Sequence, residues 1–194
     1  MTSSTVGTLR IHAPSIDAGT ATDLLRRLAV GPVSPRRLVG RAVETLVGVD
    51  LVLVPHWYCR YPVVAESRSG TERRDAWVLV NGLDGRVLRL PAAPEFDARE
   101  PAGVAPAAVL PPALDAERAA AVGREALRWD VQVRGRQRVS ATVEPAALVE
   151  LGYVPIWLGY LSTSGGTLRA TAVHGVERRP VDGRAVDRLL HALG

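Results

Sequence analysis

Apolar and polar residues alternate along Thr8-Leu9-Arg10-Ile11-His12, the period of a half-buried strand, and Pro14 ends the run. Ala21, Leu24, Leu25 and Leu28 then recur at helical spacing, which predicts a helix closed by Gly31-Pro32. Ser15 or Thr20 is the expected cap, and Thr20 with Asp23 resembles a capping box. Residues 36–47 carry two patterns. Leu38, Ala42, Thr45 and Leu46 fit a helix, but the segment aligns with the β-branched, alternating residues 137–143 and is read as a strand. Residues 49–63 form the strongest strand signal. Residues 76–82 and 86–90 make a hairpin around Leu83-Asp84-Gly85, where Asp-Gly supplies the positive φ of a tight turn.

The prolines at 91, 94, 101, 106, 111 and 112 mark residues 92–112 as a linker, with a short strand expected at 107–110. A helix over 113–128 and strands over 131–143 and 148–162 follow. Ser164-Gly165-Gly166 turns the chain into a strand over 167–175. Pro180 and Asp182 open a final helix, whose stripe is Val186, Leu189, Leu190 and Leu193.

These patterns occur twice. Ungapped alignment of residues 39–57 with 139–157 pairs Val39/Val139, Val43/Val143, Glu44/Glu144, Val49/Val149, Leu51/Leu151, Val54/Val154, Pro55/Pro155 and Trp57/Trp157. Upstream, Pro14/Pro112, Asp17/Asp115, Ala18/Ala116, Ala21/Ala119 and Arg26/Arg124 match at an offset of 98, and Gly82/Gly175 match at 93. Shifts of offset at loops are what divergent copies of one fold show. The first copy carries a longer excursion at residues 66–75. The expected fold class is therefore α+β: an internal duplication of a strand–helix–antiparallel-sheet unit, pseudo-twofold, with an extra C-terminal helix. Residues 1–91 form the first repeat, 92–112 the linker, and 113–194 the second repeat plus that helix.

Composition narrows the function. Lys+Arg total 24 against 20 Asp+Glu, and every cation is Arg, as a GC-rich genome produces. The densest cluster, Arg134, Arg136 and Arg138, sits beside Asp130, and the cations are otherwise dispersed, so nucleic acid is not an expected partner. A lone Cys59 suits a reducing cytoplasm. Neither a signal peptide nor a membrane span is expected.

On the strand 49–63, the odd positions Leu51, Leu53, Pro55, Trp57, Cys59 and Tyr61 share one apolar face expected to form core. The even positions Val54, His56, Tyr58 and Arg60 face the other way. The matching face of the second copy is apolar: Val154, Ile156, Leu158 and Tyr160. His56, Tyr58 and Arg60, joined by His174, are the candidate ligand-binding residues, for a small anionic or aromatic group. No catalytic residues, metal ligands or cofactor are expected. His56 and Cys59 point to opposite strand faces, Cys59 reads as a buried core thiol, and residues 162–167 lack the Lys and following helix of a phosphate loop. Glu44 and Glu144 read as polar groups at equivalent turns, and Trp57 and Trp157 as core tryptophans. The expectation is a non-enzymatic binding or assembly module acting through protein–protein contacts, with a protein partner or self-association as a homodimer. The alternative is a small enzyme or ligand-binding protein with a pocket between the repeats.

Overall fold

The computed structural model describes residues 10–12, 15–30, 44–67, 70–94, 108–134, 140–163 and 165–194. The elements in chain order are α1 (Ala18–Val30), β1 (Thr45–Ser67), β2 (Gly70–Asn81), β3 (Val87–Leu90), β4 (Ala108–Val109), α2 (Ala116–Arg134), β5 (Ser140–Val143), β6 (Leu148–Ser162), β7 (Leu168–His174) and α3 (Gly183–Leu193). The class is α+β. Hydrogen bonding orders the strands β3-β2-β1-β6-β7, and β4 and β5 each also pair with β1. The β1–β2, β2–β3 and β6–β7 pairs are antiparallel, while β4 runs parallel to β1 through Val52↔Ala108 and Leu53↔Val109.

Two compact units are each assembled from separate stretches of chain. The first takes β1 from Val54 onward, β2, β3, α2, β5 and the start of β6. Its core joins Cys59, Tyr61 and Val63 of β1 to Ala76, Val78 and Val80 of β2, Ala119 and Leu127 of α2, and Val143 of β5. Ala119, Gly123, Leu127 and Val131 recur every fourth residue, so one face of α2 meets the sheet. Gly123 permits the approach: an added Cβ would lie 2.6 Å from the Tyr61 hydroxyl oxygen. That hydroxyl donates to the Ala120 carbonyl at 2.7 Å. Arg124 donates through Nε and Nη2 to the Val143 carbonyl, at 3.2 and 3.0 Å. Asp115 caps the helix by accepting the Arg118 N–H at 2.8 Å.

The second unit holds α1, β1 up to Leu53, β4, β6 from Val154 onward, β7 and α3. Its core is Ile16, Ala21, Leu25, Leu51, Trp157 and Val173. Gly159 lets α1 sit close to β6, since an added Cβ would lie 3.0 Å from Leu25 Cδ2. Asp182 caps α3 through the Ala185 N–H at 3.0 Å.

The hairpin at Asp84-Gly85, β4, β6 and the terminal helix follow the sequence reading. Residues 36–43 and most of the linker lie outside the described residues. Four expectations are corrected. The cap of α1 is Asp17, whose Oδ1 accepts the Thr20 N–H at 2.7 Å, so Thr20 lies inside the helix and Ser15 is engaged elsewhere. The strand expected over 131–143 is helix to Arg134, with only Ser140–Val143 extended. The β-branched Val131 lands on the buried stripe of α2, and packing overrides its propensity. Residues 66–67 and 70–75 belong to the β1–β2 ladder, through pairs such as Glu66↔Thr71 and Pro62↔Asp75, so the described part of the excursion is a longer hairpin. In α3, Val186 and Leu189 are buried, but Leu190 and Leu193 remain exposed at 36% and 38%.

In each unit a mid-strand proline meets a glycine. Gly82 N–H donates to the Pro55 carbonyl and Gly175 N–H to the Pro155 carbonyl, both at 2.8 Å. An added Cβ would lie 2.9 Å from the Pro55 oxygen at Gly82 and 2.7 Å from the Pro155 oxygen at Gly175. Gly82→Ala and Gly175→Ala should each lower stability by about 1–3 kcal/mol in urea unfolding. Gly165→Ala, whose added Cβ would meet Thr163 Oγ1 at an ordinary 3.8 Å, should stay within roughly 0.5 kcal/mol of the parent.

Candidate functional site

β1 places His56, Tyr58 and Arg60 on one strand face, opposite Asn81, Leu79 and Trp77 of β2. Their surroundings differ from those of a solvated polar face. Tyr58 is 1% exposed, and burial pushes its phenol well above the ordinary range. The half-buried His56 uses Nδ1 to donate to the Val54 carbonyl at 3.1 Å. Arg60 holds Asp75 at 3.4 Å between Nη1 and Oδ2. The expected division into an apolar odd face and a polar even face is thus corrected. Leu51, Val52, Leu53, Val54, Tyr58, Cys59 and Tyr61 are all buried, as in a strand covered on both sides.

His174 ends β7 in the second unit, paired with Ile156. Its Nδ1 accepts the N–H of Val176 at 3.4 Å and of Glu177 at 3.2 Å, so the neutral ring carries its proton on Nε2. Burial holds its pKa below the ordinary value; Glu177 pulls it up, and Arg179 and His12 push it further down. Asn81 does the same work in the first unit, its Oδ1 accepting the N–H of Leu83 at 2.8 Å and of Asp84 at 3.3 Å. The backbone repeats as well. Asn81 N–H donates to the Arg86 carbonyl at 2.8 Å and His174 N–H to the Arg179 carbonyl at 2.9 Å. Gly85 N–H donates to the Asn81 carbonyl at 2.9 Å and Arg178 N–H to the His174 carbonyl at 3.0 Å. Gly85 has φ 71°, a region open to glycine, whereas Arg178 takes φ 55° with a full side chain. That side chain reaches Ser15, donating from Nε to Oγ at 3.2 Å and from Nη2 to the carbonyl at 2.6 Å.

The other candidates resolve singly. Cys59 is 0% exposed, and burial pushes its thiol up. Trp57 Nε1 donates to the Leu114 carbonyl at 2.8 Å, whereas Trp157 Nε1 is buried with no hydrogen-bond partner among the described residues. Glu144 pairs with Arg73 at 2.7 Å, and Glu44 with Arg169 at 3.1 Å. No group of three or more metal-ligating side chains gathers among the described residues. The Arg134 side chain and residues 136 and 138 lie outside them. No described helix is long and apolar enough to cross a membrane.

One surface escaped the sequence reading. The outer face of α2 carries an open groove of about 630 Å³, lined among the described residues by Val122, Glu125, Ala126, Arg128 and Trp129. Trp129 is 70% exposed. The spacing 122–126–129 was visible in the chain, but ending the helix at 128 put the tryptophan beyond it. No family model matches the chain, and neither a curated protein nor a solved structure matches it.

A buried thiol held in its protonated form reacts slowly. Cys59 should therefore resist Ellman's reagent in the native protein and react within minutes in denaturant. Rapid native labelling would place it at the surface.

Proposed function

We propose that this chain is a non-enzymatic assembly module that self-associates through the outer face of α2. The observation that carries the reading is Trp129. Burying a large apolar side chain stabilises by about 1.5–3 kcal/mol, and here that gain is left unrealised on a helix whose opposite face is already packed. Exposed tryptophans flanked by charge are typical interface anchors.

The face is self-complementary. An antiparallel twofold near Ala126 sets Trp129 of one copy over Val122 of the other, with the small Ala126 side chain allowing close approach. It also brings each Glu125 within reach of the other copy's Arg128. Opposite charges in such a register steer pairing and set its direction.

The chain is further read as two descendants of one copied segment, residues 1–91 and 113–194, joined by 92–112 and followed by α3. Beyond the sequence matches, the paired Pro–Gly contacts, the Asp17 and Asp115 caps and the 81–86 and 174–179 turns support this reading. On it, the helix of each repeat packs with the hairpin of the other: α2 with β2, and α1 with β7.

Sedimentation equilibrium tests the association. The parent chain should sediment at twice its monomer mass. Trp129→Ala should weaken the dimer by about 2 kcal/mol, roughly thirtyfold in Kd. Glu125→Arg should also weaken it, and adding Arg128→Glu should restore it. A parent chain that remains monomeric to several hundred micromolar would overturn the reading.

A further inference from the structure

We propose that the 174–179 turn is a pH-sensitive latch, in which neutral His174 holds the turn that ties the lead-in of α1 to β7. The latch is independent of α2. Ser15 N–H donates to the Gly175 carbonyl at 2.9 Å, and the single Ser15 hydroxyl proton is shared between the Val176 carbonyl at 2.6 Å and the Gly175 carbonyl at 3.1 Å. Arg178 returns two bonds to Ser15. Every one of these partners belongs to the turn that His174 Nδ1 organises. Two residues beyond Ser15, Asp17 caps α1, and Ile16 and Leu25 enter the core.

The comparison within the chain isolates the titrating group. In the first unit the same kind of turn ties the lead-in of α2, with Ala113 and Leu114 N–H donating to the Gly82 carbonyl at 2.9 and 3.0 Å. Its organiser there is Asn81, an amide that does not titrate. Protonation of His174 at Nδ1 turns its acceptor into a donor facing two N–H groups, which breaks both bonds.

The charged surroundings determine the direction. On its own turn, Glu177 is engaged with Arg179, and Arg178 is turned to Ser15. From the segment before α1 comes His12, whose pKa burial also lowers. The carboxylates of Asp17 and Asp182 are engaged with the N–H groups of Thr20 and Ala185. Facing His174 on β6 is the apolar Ile156. A histidine that resists protonation in the folded chain contributes stability fully present above about pH 6.5, its ordinary value. That stability is lost as pH falls below this value toward the lower folded one.

Hydrogen exchange of the full chain, expressed as protection factors between pH 7.5 and 5.5, tests the latch above the carboxylate range. Protection of the Ala21 and Leu25 amides of α1 should fall by about threefold or more across this window. Protection in α2 should hold. His174→Asn, which keeps an acceptor at the turn, should leave α1 protection nearly flat with pH. Asn81→His should confer the same pH dependence on α2, which keeps the test decisive if His174→Asn does not fold. A flat α1 profile in the parent chain would overturn the latch. So would a slope that survives His174→Asn and vanishes in His12→Asn, or an Asn81→His chain whose α2 stays insensitive to pH.

Discussion

The contact between a strand proline and a turn glycine governs the rest of the architecture. Proline has no N–H to donate, so β1 and β6 each interrupt their donor row at Pro55 and Pro155. Each proline carbonyl instead receives a glycine N–H from the neighbouring hairpin strand, and only a residue without a side chain fits against the ring. The glycine carbonyl then receives the chain that leads into a helix. One short contact thereby determines where the hairpin ends, where its turn begins and where the helix is tied down. In both units the helix lead-in is anchored to that point by backbone bonds.

The polar-looking residues of β1 are drawn into the packing of the sheet. A strand covered on both faces leaves little room for solvent, so Tyr58 goes inside and His56 and Arg60 turn to Val54 and Asp75. His174 belongs to a different piece of chemistry. It is an acceptor within a turn, in the place that Asn81 occupies in the other unit. A titrating acceptor in one turn beside a neutral one in the other matters because each turn is bonded to the lead-in of a helix. Arg178 in the left-handed region adds to that dependence, its side chain bonding to the segment that the turn anchors.

A large apolar side chain is left in solvent on α2. Its inner stripe of Ala119, Gly123, Leu127 and Val131 meets the sheet, and Val122 packs against the same core from the edge, while Trp129 on the outer face stays 70% exposed. A helix with one packed face and one apolar, charge-flanked face is suited to a second contact. In the proposed self-association, the small central residue and the opposite charges at 125 and 128 suit a symmetric contact.

Much of the fold was legible in the chain. Long β-branched and aromatic runs determined β1 and β6, Asp-Gly determined a turn, and recurring Pro, Gly and Trp pointed to repeated local geometry, because these signals act over a few residues through sterics and periodicity. The end of α2 was not legible, since Val131 satisfies either period until a partner surface selects one. Nor could the chain reveal that Tyr58 is covered, that His174 Nδ1 accepts two backbone N–H groups, or which helix packs on which hairpin. Each of those depends on groups far apart in sequence meeting in space: Ser15 with Arg178, Tyr61 with Ala120, Trp57 with Leu114. Local sterics wrote the elements into the sequence, and long-range burial and hydrogen bonding decided what each residue does.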